Sequence, residues 1–220
     1  MRPARIAAVE ALSNHFRLID LEGEALRGVG WAIGQKLQIS MGAGLTWRTY
    51  TPMAWDAERG RTRLLAFAHG EGPSSRWVGG LREGDACQFF GPRRSLELSG
   101  LTSLVLFGDE TSFGLAAALQ ATAGVNVSYI FEATDIVQSR MVLEAIGLSK
   151  ANVIARVAGD AHIEAAAAGM SSHLPGDAHF VLTGKAQSIQ HVSRALKGAG
   201  VGSSRIRAKA YWAPGKTGLD

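Results

Sequence analysis

The 220-residue sequence predicts an antiparallel β-barrel followed by an α/β domain built on a parallel sheet. Three observations predict it. The first hundred residues carry short strands separated by turn residues. Near residue 100 the strands become apolar runs, as expected where both faces of a sheet are covered. From there, strands alternate with helical stretches, the pattern of an open sheet with right-handed crossovers.

In the first half, residues 5–12 and 16–21 read as strands joined by Ser13-Asn14-His15. Residues 35–40 and 63–68 continue the pattern, the latter after a turn at Arg59-Gly60-Arg61. Residues 48–51 read as extended. A helix is expected from Ser74 or Ser75 through Leu81, Gly84-Asp85 marks a turn, and Gly91-Pro92 is expected to end the strand through Phe89 and Phe90. In the second half, strands are expected at 103–108, 126–132, 152–157 and 179–184, with helices between them. The first helix runs over 111–123 and the last over about 187–197. The change of period places the boundary at 98–102, giving units of 1–99 and 100–220.

Composition sets outer limits. The 46% hydrophobic and 19% charged content fits a chain with a real core. No segment reaches the roughly 20 consecutive apolar residues of a membrane span, and Met1-Arg2-Pro3-Ala4-Arg5 lacks the apolar run of a secretory signal. A cytoplasmic monomer is the expectation. The lone Cys87 lies in an alternating segment and reads as a buried structural thiol, and no Cys/His cluster has metal-ligand spacing. From Lys185 to Leu219 there are seven basic residues and no acid. That run is either a solvated face or the receiver of an anion. Nucleic acid is disfavoured, because aromatics accompany these charges only at Tyr211-Trp212.

The chemistry concentrates in two segments. Arg48-Thr49-Tyr50-Thr51 sets a guanidinium, a phenol and a hydroxyl on one extended stretch. A guanidinium binds two phosphate oxygens in one plane, and the ring and hydroxyl suit a flavin. Some twenty residues on, Gly72-Pro73-Ser74-Ser75 opens a helix, whose first N–H groups and positive dipole end receive anions. Either segment alone reads equally as a surface strand or a capped helix. Their order on a β-rich half points to FAD. The histidines His69, His173, His179 and His191 read as structural or solvated, and no triad or carboxylate pair stands out as catalytic.

The motifs also resemble a known family. Arg48 to Thr51, His69 to Trp77, Glu83-Gly84-Asp85, Gly91-Pro92-Arg93, Gly108-Asp109-Glu110-Thr111 and Tyr211-Trp212 with Gly215 follow the order seen in siderophore-interacting proteins. The resemblance covers nearly the whole chain. It implies a ferredoxin-NADP reductase-like architecture, with a flavin-binding barrel at 1–99 and a nicotinamide-binding α/β domain at 100–220. It implies that Arg48, Tyr50 and Thr51 hold FAD, that His69 and Gly70 lie beside the isoalloxazine, and that Gly72, Pro73, Ser74 and Ser75 receive the pyrophosphate. Asp109, Glu110 and Thr111 would lie near the cofactor cleft, while Tyr211 and Trp212 read equally as bordering the flavin or nicotinamide or as a packed C-terminal anchor.

The implied activity is that of a flavoprotein oxidoreductase. Electrons from NADPH or NADH pass through FAD to a ferric siderophore or another anionic iron chelate, releasing iron(II). Lys185, Arg205, Arg207 and Lys209 resemble the family's basic substrate surface in general terms. The chain departs from the family at Pro52 and Met53, where a valine and a second arginine commonly follow, and it is short beyond Trp212. These departures keep two alternatives open: a degenerate flavin- or chelate-binding protein, or a flavin reductase serving a protein acceptor.

Overall fold

The computed structural model describes residues 1–40, 47–68 and 72–216; of Pro73 and Ser74 only the backbone is described. The chain divides into two compact units, Met1–Glu97 and Leu98–Asp220.

The first unit is one antiparallel sheet of seven strands: β1 (Arg2–Ala11), β2 (Phe16–Glu22), β3 (Lys36–Ser40), β4 (Trp47–Tyr50), β5 (Pro52–Asp56), β6 (Arg61–Phe67) and β7 (Ala86–Arg93). Their order across the sheet is β4-β3-β7-β1-β2-β6-β5. The two end strands, β4 and β5, are consecutive in the chain and separated only by Thr51. The ends of the sheet must therefore meet, and the sheet rolls into a barrel. Period-2 alternation turns Ile19, Leu21, Leu37, Ile39, Leu64, Ala66 and Phe89 into a common core. Pro52, which carries no N–H, stands at the first position of β5, a place where a strand tolerates it. The register shift beside it is covered by the buried Thr62 hydroxyl, which donates to the Ala54 carbonyl at 2.8 Å.

Helix α1 (Pro73–Gly80) lies between β6 and β7, with proline at its first position. Trp77, Val78 and Leu81 pack into the barrel core. The expected strand end at Gly91-Pro92 is corrected by the structure: β7 runs through both residues to Arg93. Gly91 adopts φ +118 and the β3–β7 register shifts between Lys36 and Gln38, so the strand bulges and continues.

The second unit is a five-stranded parallel sheet of β8 (Ser103–Gly108), β9 (Asn126–Ala133), β10 (Asn152–Ala155), β11 (His179–Lys185) and β12 (Ile206–Trp212). Helices α2 (Phe113–Gln120), α3 (Ile136–Ala145), α4 (His162–Gly169) and α5 (Ala186–Gly198) connect them. The order β10-β9-β8-β11-β12 reverses between β8 and β11. Ligands of doubly wound sheets gather at the carboxyl ends of the strands beside such a reversal. Val105, Phe107, Ile130, Phe180 and Leu182 form the core under α4 and α5.

Three elements differ from expectation. The helix expected over 111–123 begins as a single 3₁₀ turn, Glu110–Ser112, because the Asp109 side chain caps that turn, and α2 follows. The strand expected over 152–157 stops at Ala155, where the chain leaves the sheet. Strand β12 was not foreseen, since its alternating basic residues resemble a solvated segment. No helix among the described residues is long and apolar enough to cross a membrane.

Candidate functional site

In the first unit, β4 pairs with β3 so that Tyr50 lies opposite Leu37 and Arg48 opposite Ile39. Alternation puts Arg48 and Tyr50 on one face and the exposed Thr49 on the other. The Tyr50 ring packs against the barrel core, and burial pushes its phenol well above the ordinary range, against the pull of Arg48. It stays a neutral hydroxyl and aromatic surface. The half-buried Arg48 makes one hydrogen bond among the described residues, to the Trp47 carbonyl at 3.0 Å, leaving most of its donors available to an anion.

Helix α1 enters the same core through Trp77 and Val78, so strand and helix are braced by one cluster. The residue before the helix, Gly72, supplies no side-chain cap, and a Cβ added there would meet nothing within 4 Å. An open approach to a helix start without a side-chain cap, on a unit that also carries a guanidinium and a neutral phenol, is chemistry that fits a flavin dinucleotide. Ser75 lies half-buried in the first turn. His69 and Gly70, expected beside the isoalloxazine, lie outside the described residues. Burial pushes the Cys87 thiol up to about 11, so it is inert at neutral pH.

In the second unit, the carboxyl ends of the strands carry a linked polar cluster. Asp109, directly after β8, is fully buried. Its Oδ1 accepts from the Thr111 N–H at 2.9 Å and from the Thr111 hydroxyl, and its Oδ2 accepts from Trp212 Nε1 at 2.7 Å. Glu110, also buried, accepts from the Thr134 N–H at 2.7 Å and from Arg156 at 3.0 Å. Arg156 also donates to the Thr134 hydroxyl at 2.6 Å and lies 3.7 Å from Glu132. Glu132 in turn receives His162 Nε2–H at 2.5 Å, while His162 Nδ1 accepts from the Val157 N–H at 3.3 Å. That second bond fixes the tautomer.

Burial, reinforced by the Glu110 charge, pushes the Asp109 carboxyl up to about 6, against the hydrogen bonds of Thr111 and Trp212 and the charge of Arg156. Burial works against the Arg156 cation, but Glu110, Glu132 and Asp109 outweigh it and hold the guanidinium charged. The Asp109 shift has a stability consequence. A carboxyl with a raised folded-state pKa contributes most below its unfolded value, near 4, and loses that contribution as pH rises through about 6. Asp109→Asn, which cannot titrate, therefore gains stability relative to wild type by about 2 kcal/mol between pH 4 and pH 8. Urea unfolding across that range measures it, and a constant difference would contradict the assignment.

The structure brings Asp109, Glu110, Thr111 and Trp212 together at one sheet edge but gives them different standing. Asp109 and Glu110 are buried and lie behind the surface, whereas Thr111 and Trp212 are half-exposed. Arg156, Glu132 and His162 were missed. The position of Arg156, just past a parallel strand, was the signal that could have found it.

The basic residues also divide. Lys185 is paired with Asp160 at 3.0 Å. Arg205 donates to the carbonyls of Ala178, Leu174 and His173 and lies over the Phe180 ring, so its guanidinium braces the loop before β11 rather than facing a substrate. Arg207 donates to the Ser204 carbonyl at 2.6 Å, and Lys209 lies half-buried on the same face of β12.

Residues 34–96 match the family model of the siderophore-interacting FAD-binding domain. That segment is similar to the FAD-binding domain of the siderophore-interacting proteins. Its fold agrees with solved structures across nearly the full length. The siderophore-interacting protein SipS from Aeromonas hydrophila superposes with a TM-score of 0.78 at 18% identity, covering 98% of this chain and 92% of that one. A siderophore utilization protein from T. fusca gives 0.74 at 19% identity, covering 100% and 95%. Phthalate dioxygenase reductase, described as a modular structure for electron transfer from pyridine nucleotides to [2Fe-2S], gives 0.75 at 18% identity, covering 97% and 69%. The architecture is thus ferredoxin-reductase-like in fold: an antiparallel barrel followed by a parallel α/β sheet. No curated protein matches the chain by sequence.

Proposed function

We propose that this chain is an FAD-dependent oxidoreductase that draws electrons from a pyridine nucleotide and delivers them to a ferric siderophore. The observation that carries the reading is Arg48 on one face with Tyr50, braced with the uncapped start of α1 inside the segment that matches the FAD-binding family. Bound FAD supplies the redox chemistry, accepting a hydride and releasing single electrons. The protein supplies the rest. Arg48 and the first turn of α1 neutralise the pyrophosphate. Tyr50, kept protonated by burial, offers a ring and one O–H donor but no proton transfer, and Thr51 adds a hydroxyl next to it. The second unit receives the nucleotide at the carboxyl edge of β8 and β11. For an anionic chelate, Lys209 is the better placed of the four basic residues, since Lys185, Arg205 and Arg207 are engaged internally.

The test is an anaerobic absorbance titration of purified protein saturated with FAD. The flavin band bleaches on adding NADH or NADPH and recovers on adding a ferric siderophore. A band that bleaches but does not recover argues for a protein acceptor, and one that never bleaches argues for a binding protein.

The charge at the sheet edge favours NADH over NADPH. Arg156 is shared among three carboxylates, Lys185 is paired, and Asp135 adds an exposed carboxylate at the start of α3. A 2′-phosphate entering there meets repulsion. We expect kcat/KM for NADH to exceed that for NADPH at least tenfold, roughly 1.4 kcal/mol. Equal values would contradict this reading of the edge.

A further inference from the structure

We propose that Asp109 acts on the pyridine nucleotide only through Trp212: it is a positioning residue that sets the indole as a stacking surface for a planar ring of the coenzyme. This rests on the reading that the second unit takes a pyridine nucleotide. Asp109 has no exposed surface, so it cannot touch a ligand itself. Its two oxygens are assigned to different partners. Oδ1 belongs to Thr111, whose N–H and hydroxyl both donate to it, and Oδ2 receives the Trp212 indole N–H at 2.7 Å. An indole has one donor, so this single bond fixes the edge of the ring that turns inward.

Three further features hold the arrangement. The backbone of Gly184, at φ +100, lies so close that a Cβ there would stand 2.6 Å from the Asp109 carboxyl carbon. One side of the carboxylate is therefore walled by β11. The β11–β12 register shifts between Gly184 and Lys185, and Lys185 then pairs with Trp212. The irregularity falls at the level of the strand ends where Trp212 reaches across to Asp109. The Arg156 guanidinium stands 6.0 Å from the indole centroid, so a cation neighbours the ring as well. The result is a half-exposed aromatic ring, anchored by its N–H, at the reversal of strand order where nucleotides bind.

The charged groups around Asp109 are Glu110 on its own turn and Arg156 from the end of β10, with Glu132 of β9 on the far side of Arg156. Thr111 and Trp212 are its hydrogen-bond donors. Aromatic stacking on a bound ring contributes equally to the ground state and the transition state. Loss of the oriented ring should therefore appear in KM and leave kcat nearly unchanged.

The experiment uses full-length, FAD-loaded protein with ¹⁵N-labelled tryptophan, and identifies the Trp212 indole resonance by its disappearance in Trp212→Phe. In wild type this resonance shifts with pH, with a midpoint near 6, and shifts again on adding NADH. In Asp109→Asn the pH step is lost. Each single variant raises KM for NADH about tenfold with kcat within about twofold, and the double variant is no worse than the weaker single, because both remove one coupled unit. An unchanged pH step in Asp109→Asn, or additive KM effects, would overturn the positioning role. A wild-type indole that shifts with pH but ignores NADH would overturn the stacking role while leaving the anchor intact. FAD that NADH does not reduce, in a protein whose indole still shows the pH step, would instead count against the oxidoreductase reading.

Discussion

Gly184→Ala lowers the stability of the second unit by about 4 kcal/mol. Two costs add. At φ +100 an L side chain is strained, which costs on the order of 1–3 kcal/mol. The new Cβ would also stand 2.6 Å from a buried carboxyl carbon, and overpacking of that kind costs roughly 1–3 kcal/mol. Asp109 has little room to retreat, because Thr111 and Trp212 hold its oxygens. The clash therefore propagates to the indole anchor rather than relaxing locally. Urea denaturation measures the loss. Gly198→Ala is the control, since a Cβ at that helix end meets nothing within 4 Å. Comparable stability for the two variants would show that β11 can withdraw from Asp109. Gly108→Ala should behave like Gly184→Ala, because its Cβ would collide with the Ser112 side chain.

These two glycines show which parts of the fold the sequence could disclose. The parallel strands were legible because burial on both faces leaves continuous apolar runs, as in Leu104-Val105-Leu106-Phe107. The barrel was legible from its turns and alternation. Strand β5 was not, because Pro52-Met53-Ala54-Trp55-Asp56 begins with a residue that normally argues against a strand, and only the closing of the barrel makes it one. Strand β12 was hidden by Arg205, Arg207 and Lys209, whose charges suggested a solvated surface although the neighbouring Ile206 and Ala210 pack against the core.

The site divides along the same line. Arg48, Tyr50 and Gly72 form local motifs, and a motif can be read from spacing. The cluster of Asp109, Glu132, Arg156, His162 and Trp212 spans more than a hundred positions. Its members meet only because parallel strands deliver their carboxyl ends to one edge. Asp109 could be named from its motif, but its burial and its hold on Trp212 are properties of the sheet.

Arg48→Ala weakens FAD binding about 10- to 100-fold without loss of fold. Arg48 makes a single hydrogen bond among the described residues, to a neighbouring backbone carbonyl, so little of the described structure depends on it. Against a pyrophosphate the same side chain offers a planar fork of donors, and hydrogen bonds to a charged partner are each worth about 1.5–3 kcal/mol. Every 1.4 kcal/mol is tenfold in affinity. The position has extra weight here, because Pro52 and Met53 follow where the family commonly supplies a second arginine. With less charge nearby to compensate, removing Arg48 exposes the full loss. Arg48→Lys should fall between the two, keeping the charge but not the fork. Fluorescence titration of apoprotein with FAD checks all three, with urea unfolding to confirm equal stability. If Arg48→Ala binds FAD as wild type does, the pyrophosphate does not rest on β4, and the flavin reading of Arg48 and Tyr50 fails with it. If affinity falls but Arg48→Lys restores it fully, a point charge suffices, and the α1 N-terminus rather than the guanidinium fork supplies the directional contacts.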